Sequence, residues 1–312
     1  MRAVQVSSFG GPEVLEVVEL PTPTPIPTEL LVEVHAAGVN PVDWKTRRGS
    51  SLSAAAGGPP FVPGWDVAGV VADAGYGVTT FDLGDRVFGM PWFPRWAGAY
   101  AEYVTAPSRQ FARMPDGLSF ECAAALPLAS LTAWQALVQT AQVGAGQAVL
   151  VHGASGGVGH LAVQIAKARG ATVIGTARVA NHDFLRELGA DECVDREAVP
   201  LSESASDVDA TIDLVGGEEA GALRTVRDDG VLLEIAGHAD EGLRAEAGRR
   251  GVRVAELLVE PDGHALGKIA ALVAEGRLTP TVDTVLSLEE AAKAHEQLEA
   301  GGHRGKIVLS IR

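Results

Sequence analysis

The chain has 312 residues, of which 46% are hydrophobic and 21% are charged, and this composition excludes an intrinsically disordered chain. At about 150 residues per domain, this length predicts two domains. The formal net charge of −15, from 25 Lys and Arg against 40 Asp and Glu, argues against nucleic-acid and membrane partners, because both present negative surfaces.

The two cysteines, Cys122 and Cys193, lie far apart and belong to no C-x-x-C or Cys/His cluster. This pattern indicates neither a disulfide framework nor a Cys-rich zinc site. The N-terminal residues lack the apolar core of a signal peptide, and the longest apolar stretch, 123–138, is too short to span a bilayer. We therefore expect a cytoplasmic protein with reduced thiols.

The first part of the chain, up to Glu121, predicts a β-rich domain. Gly and Pro separate short apolar and β-branched runs such as Leu30–His35 and Gly69–Ala72. The alternating Pro and Thr of Pro21–Leu30 would suit a ligand for a proline-binding module. Its position between strand-like runs favours an extended connector instead.

From Cys122 onward, strand-like runs alternate with helical segments, which indicates a parallel sheet with helices on both faces. The predicted strands are Ala148–His152, Thr172–Thr176, Cys193–Asp195, Ala210–Val215, Val231–Ala236 and Val252–Val259. The predicted helices are Gly157–Arg169, His182–Leu188 and Gly263–Glu275.

The pattern changes again after Gly276. Ser287 and Glu290 have the spacing of a capping box, in which each side chain bonds the backbone N–H of the other residue. They predict a helix that runs to Ala300 and ends at the Gly301–Gly302 pair. The last residues, Gly305–Arg312, predict a closing strand.

The strongest motif is a glycine-rich turn, GASGGVG (153–159), which joins the strand Ala148–His152 to an amphipathic helix. Glycines allow a tight turn and a close approach of the backbone to a pyrophosphate. The N-terminus of the helix offers N–H groups to an anion. Because strand, turn and helix are all present, the motif predicts a dinucleotide site rather than a turn without a ligand.

The end of the next strand, Thr176-Ala-Arg178, indicates which dinucleotide binds. NAD sites usually place Asp or Glu near this point for the ribose 2′-hydroxyl, whereas NADP sites place a cation for the 2′-phosphate. Arg178 stands here, and the next acid, Asp183, falls in the following helix. We predict NADPH rather than NADH, with a surface arginine that binds nothing as the alternative.

Several stretches in the same order resemble one family over essentially the whole chain: the zinc-independent medium-chain dehydrogenases/reductases, and among them the NADPH:quinone oxidoreductases (zeta-crystallin-like). Besides the glycine turn, the stretches that carry the resemblance are AAGVNPVDWKTRRG (36–49), PGWDVAGVV (63–71), LGDRVFG (83–89), GAYAEYV (98–104), ALPLASLTAWQAL (125–137), LRELGAD (185–191), DLVGG (213–217) and GHRGKIVL (302–309).

The resemblance implies an α/β fold with two domains. A Rossmann doubly wound parallel sheet would span 122–276, and a GroES-like β-rich catalytic domain would span 1–121, completed by 277–312. Zinc-dependent relatives place Cys and His ligands where this chain has Asn40 and Trp65, so the resemblance implies no metal. Without that Lewis acid, reduction of a quinone or an activated C=C is favoured over alcohol oxidation.

The resemblance also implies roles for individual residues. Asn40 would donate its amide N–H to the acceptor oxygen, Asp43 would order the same turn, and Thr132 would contact the nicotinamide. The residues expected to bind the cofactor are Ser155, Gly156, Gly157, Val158, Thr176, Arg178, Val215, Gly216, Ala236, Gly237, His238 and Arg304. This chain departs from the family after LRELGAD, where some relatives carry a Tyr near the 2′-phosphate: Arg196 lies in that neighbourhood and would supply a second cation.

Aromatic residues are candidates for the walls of the acceptor pocket. Trp92 and Phe93 lie in an irregular loop rich in Pro and Gly, and Trp44 and Trp65 precede it. Stacking on a planar acceptor is the functional interpretation, and packing of the loop is the alternative.

The run Val252–Val259 would form the edge of the Rossmann sheet. It contains neither Pro nor Lys, which commonly block the pairing of an edge strand with another chain. We therefore predict a homodimer through this edge, as the resemblance also implies.

Together these observations predict an NADPH-dependent, metal-free oxidoreductase that transfers a hydride to a quinone or an α,β-unsaturated carbonyl. Two alternatives stay open: an enoyl-thioester reductase, and an NADPH-binding structural or regulatory protein with little turnover. None of the eight histidines stands out as a general acid, so water would supply the proton.

Overall fold

A computed structural model describes residues 1–312, except for the side chains of Ala55 and Ala56. The strands are β1 (Arg2–Val6), β2 (Leu15–Glu19), β3 (Glu29–Val39), β4 (Asp66–Ala74), β5 (Arg86–Gly89), β6 (Tyr103–Pro107), β7 (Phe111–Arg113), β8 (Ala148–His152), β9 (Thr172–Ala177), β10 (Glu192–Asp195), β11 (Val208–Asp213), β12 (Val226–Glu234), β13 (Arg253–Glu256), β14 (Val282–Ser287) and β15 (Lys306–Ser310). The α-helices are α1 (Pro41–Arg47), α2 (Ser53–Ala56), α3 (Phe120–Ala124), α4 (Pro127–Trp134), α5 (Gly159–Ala168), α6 (His182–Glu187), α7 (Glu219–Thr225), α8 (Glu241–Arg249), α9 (Gly263–Ala274) and α10 (Ala291–Ala300).

These elements form two compact units. The first unit consists of Met1–Leu131, Glu260–Glu275 and Pro280–Arg312, and the second consists of Thr132–Val259 and Gly276–Thr279. The helix α9 therefore belongs to the first unit, where it packs against β7, although the sequence placed it with the second domain. No helix within the described part of the chain is long and apolar enough to cross a bilayer. The cytoplasmic location stays a prediction.

The first unit is built around the long strand β3. It pairs antiparallel with β4, β6 and β15, in a sheet whose main path runs β14-β15-β3-β4-β5-β7. The pairing of β15 places Ile307 opposite Val39, so the C-terminal strand completes the sheet that the N-terminal strands begin. Val, Leu and Ala side chains of β3, β4 and β15 form the core beneath it. The closing strand predicted from the sequence is thus confirmed.

The second unit is a parallel sheet in the order β10-β9-β8-β11-β12-β13. The direction of the strand order reverses between β8 and β11, which is the arrangement of a doubly wound α/β sheet. Each strand that the sequence predicted is present, so the expected α/β class is confirmed. The strands β11 and β12 begin earlier than predicted, because Val208 and Val226 pair before a register shift that precedes Ala210.

The edge strand β13 is shorter than the predicted run Val252–Val259. Only Arg253–Glu256 pairs with β12, and Leu258 beyond it is 59% exposed. An edge position at the end of the sheet is confirmed. The homodimer through this edge stays a prediction, which the sedimentation coefficient of the protein can check.

The capping box predicted near the C-terminus is confirmed. The Ser287 N–H donates to Glu290 Oε2 at 3.0 Å, and a 3-10 turn over Leu288–Glu290 leads into α10. The helix ends at Gly301, whose φ of 69° lies in the region that favours glycine.

Close packing at the start of α5 makes a first prediction. A Cβ at Gly159 would overlap Gly153 O and lie 2.7 Å from Ala154 Cα, and neither backbone atom can move aside freely. The substitution Gly159→Ala should therefore destabilise the protein by about 1–3 kcal/mol, as overpacking does. Denaturant unfolding measures the change.

The matched control for this prediction is Gly267→Ala. Gly267 lies inside α9, and a Cβ there would meet no atom of the described residues within 4 Å, so Ala should stabilise the helix by about 0.5–1 kcal/mol. Equal effects of the two substitutions would contradict the packing argument.

Candidate active site

In the first unit, Asn40 and Asp43 form the N-terminus of α1. The Asn40 N–H donates to Asp43 Oδ2 at 2.7 Å, and Pro41 occupies the first helical position, where its missing N–H costs nothing. Both side chains are buried, Asp43 completely. The sequence expected Asp43 to order this turn, and the hydrogen bond is consistent with that role.

The side chain of Asn40 belongs to a buried ionic network. Its Nδ2 donates to Asp66 Oδ2 at 2.8 Å, and its Oδ1 accepts a short hydrogen bond from Lys306 Nζ. Lys306 Nζ also donates to Val39 O at 3.0 Å and lies 3.4 Å from Asp66 Oδ2. Since an amide has two N–H hydrogens, one hydrogen of Asn40 is left for an acceptor oxygen.

The second oxygen of Asp66 is also bonded. The Leu128 N–H at the start of α4 donates to Asp66 Oδ1 at 2.7 Å. Burial raises the pKa of Asp66, whereas the Lys306 ammonium and the Asn40 amide oppose that rise. The Asp66 carboxylate therefore contacts the N-terminal ends of α1, α4 and β15 and holds them together.

A second buried network extends from Asp43. Tyr100 Oη donates to Asp43 Oδ2 at 2.9 Å and lies 3.3 Å from His295 Nε2, while Arg47 Nη1 lies 3.2 Å from His295 Nδ1. Because Arg47 can only donate, His295 Nδ1 must accept, and its Nε2–H then donates to Tyr100. Arg47 also donates to Glu299 Oε1 at 2.6 Å, so the network ties α10 to α1.

Burial sets the protonation of this second network. It raises the pKa of Asp43 to about 7, against the opposing hydrogen bonds from Asn40 and Tyr100. Burial and the Arg47 charge lower the pKa of His295 to about 3, so this histidine is neutral at physiological pH. Burial also holds the pKa of Tyr100 well above its usual value. Near neutral pH, Asp43 is the group of this network that titrates.

The candidate aromatic residues pack mainly on one another. Trp65 is fully buried, donates from Nε1 to Arg95 O at 2.6 Å, and meets Phe93 edge to face at 5.4 Å between ring centroids. Trp92 donates from Nε1 to Thr105 O at 2.7 Å. Trp44 is partly buried, with the Arg48 guanidinium 5.1 Å from its ring. For Trp65, the absence of any exposed surface favours packing over contact with an acceptor.

Phe93 also lines a cavity of about 710 Å³ in the first unit. Phe81 and Phe111 line it as well, with Arg109 and His264 at its polar part. Of the four aromatic candidates, Phe93 is thus the one that lines this cavity.

Within the second unit, the glycine turn has the shape of a phosphate cradle. Gly153 has a φ of +81°, and Gly159 packs directly on the backbone of Gly153 and Ala154. The next residues open α5, and the first-turn N–H groups of His160 and Leu161 donate to Gly156 O and Val158 O, both at 3.1 Å, so turn and helix start form one hydrogen-bonded unit. These are the requirements of a pyrophosphate site, so the residues present fit a dinucleotide.

Two predicted cofactor residues, Thr176 and Ser155, form hydrogen bonds that hold the turn. Thr176 is fully buried, and its Oγ1 accepts the Gly153 N–H at 3.2 Å and lies 2.7 Å from His152 Nδ1. Its expected approach to the adenosine ribose stays a prediction. Ser155 Oγ accepts from Asn181 Nδ2 at 3.0 Å, which ties the turn to the segment after β9.

Three arginines are expected at the 2′-phosphate, and two of them, Arg178 and Arg196, have neighbouring backbone positions in the second unit. Arg178 follows β9 and is half exposed, with its Nε donating to Glu197 Oε1 at 2.8 Å. The Arg196 N–H donates to Ala177 O at 3.1 Å, so its backbone lies beside the residue before Arg178. Arg304 belongs to the first unit, where its N–H donates to Asp283 Oδ1 at 3.1 Å.

The loops after β11 and β12 are held by carboxylates. Asp213 Oδ1 accepts the N–H groups of Val215 at 2.9 Å and Gly216 at 3.0 Å. Glu219 Oε1 accepts the Gly217 N–H at 3.0 Å and would lie 2.8 Å from a Cβ at Gly237, so Glu219 contacts both loops. The structure therefore brings the two loops together. They contain five of the residues predicted to bind the cofactor: Val215 and Gly216 after β11, and Ala236, Gly237 and His238 after β12.

The remaining candidates stay predictions. Thr132 lies on α4 at 4% exposure, in the second unit. Gly156, Gly157 and Val158 occupy the cradle. Among the side chains that the structure describes, no three His, Cys, Asp or Glu residues are grouped as a metal site requires.

Sequence reasoning missed Asp66, Lys306, Tyr100 and His295. Asp66 and Lys306 both lie in stretches that carried the resemblance, PGWDVAGVV and GHRGKIVL, but their buried pairing has no local signal. A lysine inside an apolar strand was the one available hint, because lysine is seldom buried without a partner.

Comparison with known proteins agrees with this geometry. Residues 26–116 match the family described as "Alcohol dehydrogenase GroES-like domain", and residues 188–309 match the family described as "Zinc-binding dehydrogenase". The sequence is similar to the quinone oxidoreductase of Mus musculus, with 33% identity over 329 residues that cover 100% of this chain and 98% of the relative.

Solved structures show the same likeness. The quinone oxidoreductase from Coxiella burnetii has a TM-score of 0.93 and 38% identity, with 100% of this chain and 99% of that chain covered. A mycobacterial protein complexed with NADPH has a TM-score of 0.86 and 31% identity, with 100% of both chains covered.

The buried ionic network makes the second prediction. Lys306→Ala would leave the Asp66 carboxylate without its cation, and loss of one partner of a buried pair costs about 3–5 kcal/mol. Lys293→Ala is the control, because Lys293 pairs with Glu290 on the surface, where such pairs contribute about 0–1 kcal/mol. Denaturant unfolding of both variants measures the difference, and similar losses would contradict the assignment.

Proposed function

The chain belongs to the quinone oxidoreductase family of medium-chain dehydrogenases/reductases and is an oxidoreductase, and we propose that it transfers a hydride from NADPH to a quinone or an α,β-unsaturated carbonyl. The observation that carries the proposal is the cradle of Gly153–Gly159 at the N-terminus of α5, with Arg178 at the end of the neighbouring strand. Backbone N–H groups in this geometry suit a pyrophosphate, and a guanidinium suits a 2′-phosphate.

Different parts of the chain would bind the cofactor and the acceptor. The cradle and the loops after β11 and β12 would bind the cofactor, which supplies the hydride when it is bound. Asn40 would offer its one remaining amide hydrogen to the acceptor oxygen, where negative charge develops. Catalysis would come mainly from holding the acceptor in place, since a quinone or an enone spreads the incoming charge itself.

The activity test measures anaerobic oxidation of NADPH and of NADH with a quinone, a simple enone and an enoyl thioester offered in parallel. We expect saturable turnover of the quinone or the enone with NADPH, after subtraction of the rate without enzyme. The variant Gly159→Ala is measured in the same assay. It alters the cradle, so it should lose most of that turnover.

Two outcomes would contradict the proposal. Turnover of the enoyl thioester alone would show that the acceptor is a thioester and not a quinone or an enone. Tight binding of NADPH without turnover of any acceptor would indicate a binding protein and not a reductase.

The choice of cofactor makes a separate prediction. Arg178→Ala should raise the KM for NADPH about 10-fold or more, because a hydrogen bond to a charged group contributes about 1.5–3 kcal/mol. The KM for NADH should change little. Arg186→Ala is the control, since Arg186 is an exposed arginine on α6 paired with Asp183.

Substitution of Glu197, which pairs with Arg178, should change the KM for NADPH in the opposite direction. Glu197 holds the guanidinium that the 2′-phosphate would take, so Glu197→Gln should lower the KM for NADPH a few-fold, in keeping with the small contribution of surface pairs. If neither variant changes the ratio of the two KM values, the assignment of the 2′-phosphate site is wrong.

A further inference from the structure

Four buried side chains of the first unit form a series of hydrogen bonds that all run in one direction. Arg47 Nη1 lies 3.2 Å from His295 Nδ1, and His295 Nε2 lies 3.3 Å from Tyr100 Oη. Tyr100 Oη in turn donates to Asp43 Oδ2 at 2.9 Å. Because a guanidinium can only donate, His295 accepts at Nδ1 and donates from Nε2. We call this series the Tyr100 relay; all four of its side chains are fully buried.

The first member of the Tyr100 relay, Arg47, is held from three sides. Its Nη2 donates to Glu299 Oε1 at 2.6 Å, and its Nε donates to Gly10 O at 3.2 Å. These two bonds leave Nη1 for His295. The direction of the first hydrogen bond is therefore set by α10 and by the segment that contains Gly10.

The ring of Tyr100 is held by close packing. A Cβ at Gly64 would lie 2.3 Å from Tyr100 Cδ1, so the ring rests directly on the Gly64 backbone. The Tyr100 N–H donates to Pro63 O at 3.0 Å, and the ring meets His295 edge to face at 5.8 Å between centroids. Packing thus keeps the hydroxyl group within reach of Asp43.

At the other end of the relay, the Asp43 carboxylate depends on two donors. Its Oδ2 accepts from Tyr100 Oη and from the Asn40 N–H at 2.7 Å, whereas Oδ1 has no hydrogen-bond partner within the described part of the chain. Loss of the Tyr100 hydroxyl would leave one donor for a carboxylate that is shielded from water. Such a loss should be costly for the charged form.

The charged groups around Asp43 come from several elements. Burial raises its pKa to about 7, and Asp66 on β4 adds to this rise, whereas Lys306 on β15 and the bonds from Asn40 and Tyr100 lower it. On α10, the pKa of about 3 leaves His295 without a charge near neutral pH. The α10 acid is also paired, because Glu299 Oε1 meets Arg47 on α1 and its Oε2 meets Arg48.

Asn40 is consequently held at both its backbone and its side chain. Asp43 accepts its N–H, while Asp66 and Lys306 bond its amide group. The amide hydrogen that remains can point toward an acceptor only if both attachments keep their positions. The backbone attachment is the one that the Tyr100 relay supports.

We propose that Tyr100 and His295 are positioning residues, which act through Asp43 to fix the backbone of Asn40 and so orient its remaining amide hydrogen toward the acceptor oxygen. This inference rests on the proposed function. Neither residue needs to touch the acceptor or the cofactor, since the effect passes through hydrogen bonds within the first unit. The helix α10 is thereby joined to the site of hydride transfer.

The first test compares the kcat for the quinone or enone and the Kd of NADPH in the wild type and in Tyr100→Phe. We expect the kcat to fall about 10-fold or more, because small errors of position are costly in catalysis. The Kd of NADPH should stay close to the wild-type value, since the cofactor is assigned to the second unit. A fall in affinity for NADPH with an unchanged kcat would overturn the proposal.

Tyr103→Phe is the matched control. It removes a hydroxyl group of the same kind from β6, where Tyr103 Oη lies 3.4 Å from Glu33 Oε1 and outside the Tyr100 relay. The control should keep the wild-type kcat. Equal losses of kcat in the two variants would overturn the proposal.

The pH profile of kcat separates positioning from a general loss of structure. Ionised Asp43 accepts hydrogen bonds more strongly than the neutral acid, so the wild-type kcat should fall as the pH drops below its titration. Tyr100→Phe removes a donor that lowers the pKa of Asp43, so the fall should begin about one to two pH units higher. A profile that coincides with that of the wild type would overturn the proposal.

Two substitutions of His295 repeat the test without altering Tyr100, and they serve if Tyr100→Phe does not fold. Glutamine offers a carbonyl oxygen to Arg47 and an N–H to Tyr100, so His295→Gln should keep most of the kcat. His295→Leu offers neither and should lower the kcat. Equal kcat values in the two variants would overturn the role of His295.

A last measurement needs neither cofactor nor acceptor. Nitrogen NMR of protein labelled at its histidine rings, with the His295 signal assigned by its loss in His295→Gln, should show a neutral ring protonated at Nε2 between pH 6 and 9. A proton on Nδ1 would overturn the direction of the relay even in an active protein. The expected form in a protein that turns over no acceptor would overturn the proposed function instead.

Discussion

The first unit depends on the buried pair of Lys306 and Asp66. A charge that leaves water must regain the lost solvation from partners inside the protein, so each member of this pair constrains the groups around it. Lys306 begins the last strand and Asp66 begins β4, and both lie within hydrogen-bond reach of Asn40 at the end of β3. The three strands are therefore held in one register at their functional end.

The same constraint explains why the C-terminal segment returns to the N-terminal sheet. Without β15, the ammonium that Asp66 faces would be missing, and the carboxylate would be buried against the Leu128 N–H and the Asn40 amide alone. Residues far apart in the sequence thus form one electrostatic unit. In the second unit, backbone N–H groups rather than a cation meet Asp213, whose Oδ1 accepts from Val215 and Gly216.

The sequence predicted the features that depend on local pattern. Alternating strands and helices indicated the parallel sheet, the glycine turn indicated the cradle, and Ser287 with Glu290 indicated the start of the last helix. What it could not predict depends on contacts between distant segments. Thr176 ends a strand at the expected place, but only the fold shows that its hydroxyl group turns inward to Gly153. Asp66 likewise appears as one polar residue before an apolar run, and its buried pairing with Lys306 emerges only from the fold.

The environment of Asn40 also bears on how this residue can act. Its oxygen accepts from an ammonium group and one of its N–H bonds donates to a carboxylate, so the amide lies between a cation and an anion. Hydrogen bonds in such a chain polarise one another. A cation at the amide oxygen draws electron density away from the nitrogen, which makes the remaining N–H a stronger donor than that of an isolated asparagine. In the proposed reaction Lys306 would therefore support an acceptor oxygen through Asn40, without any need to contact the acceptor itself.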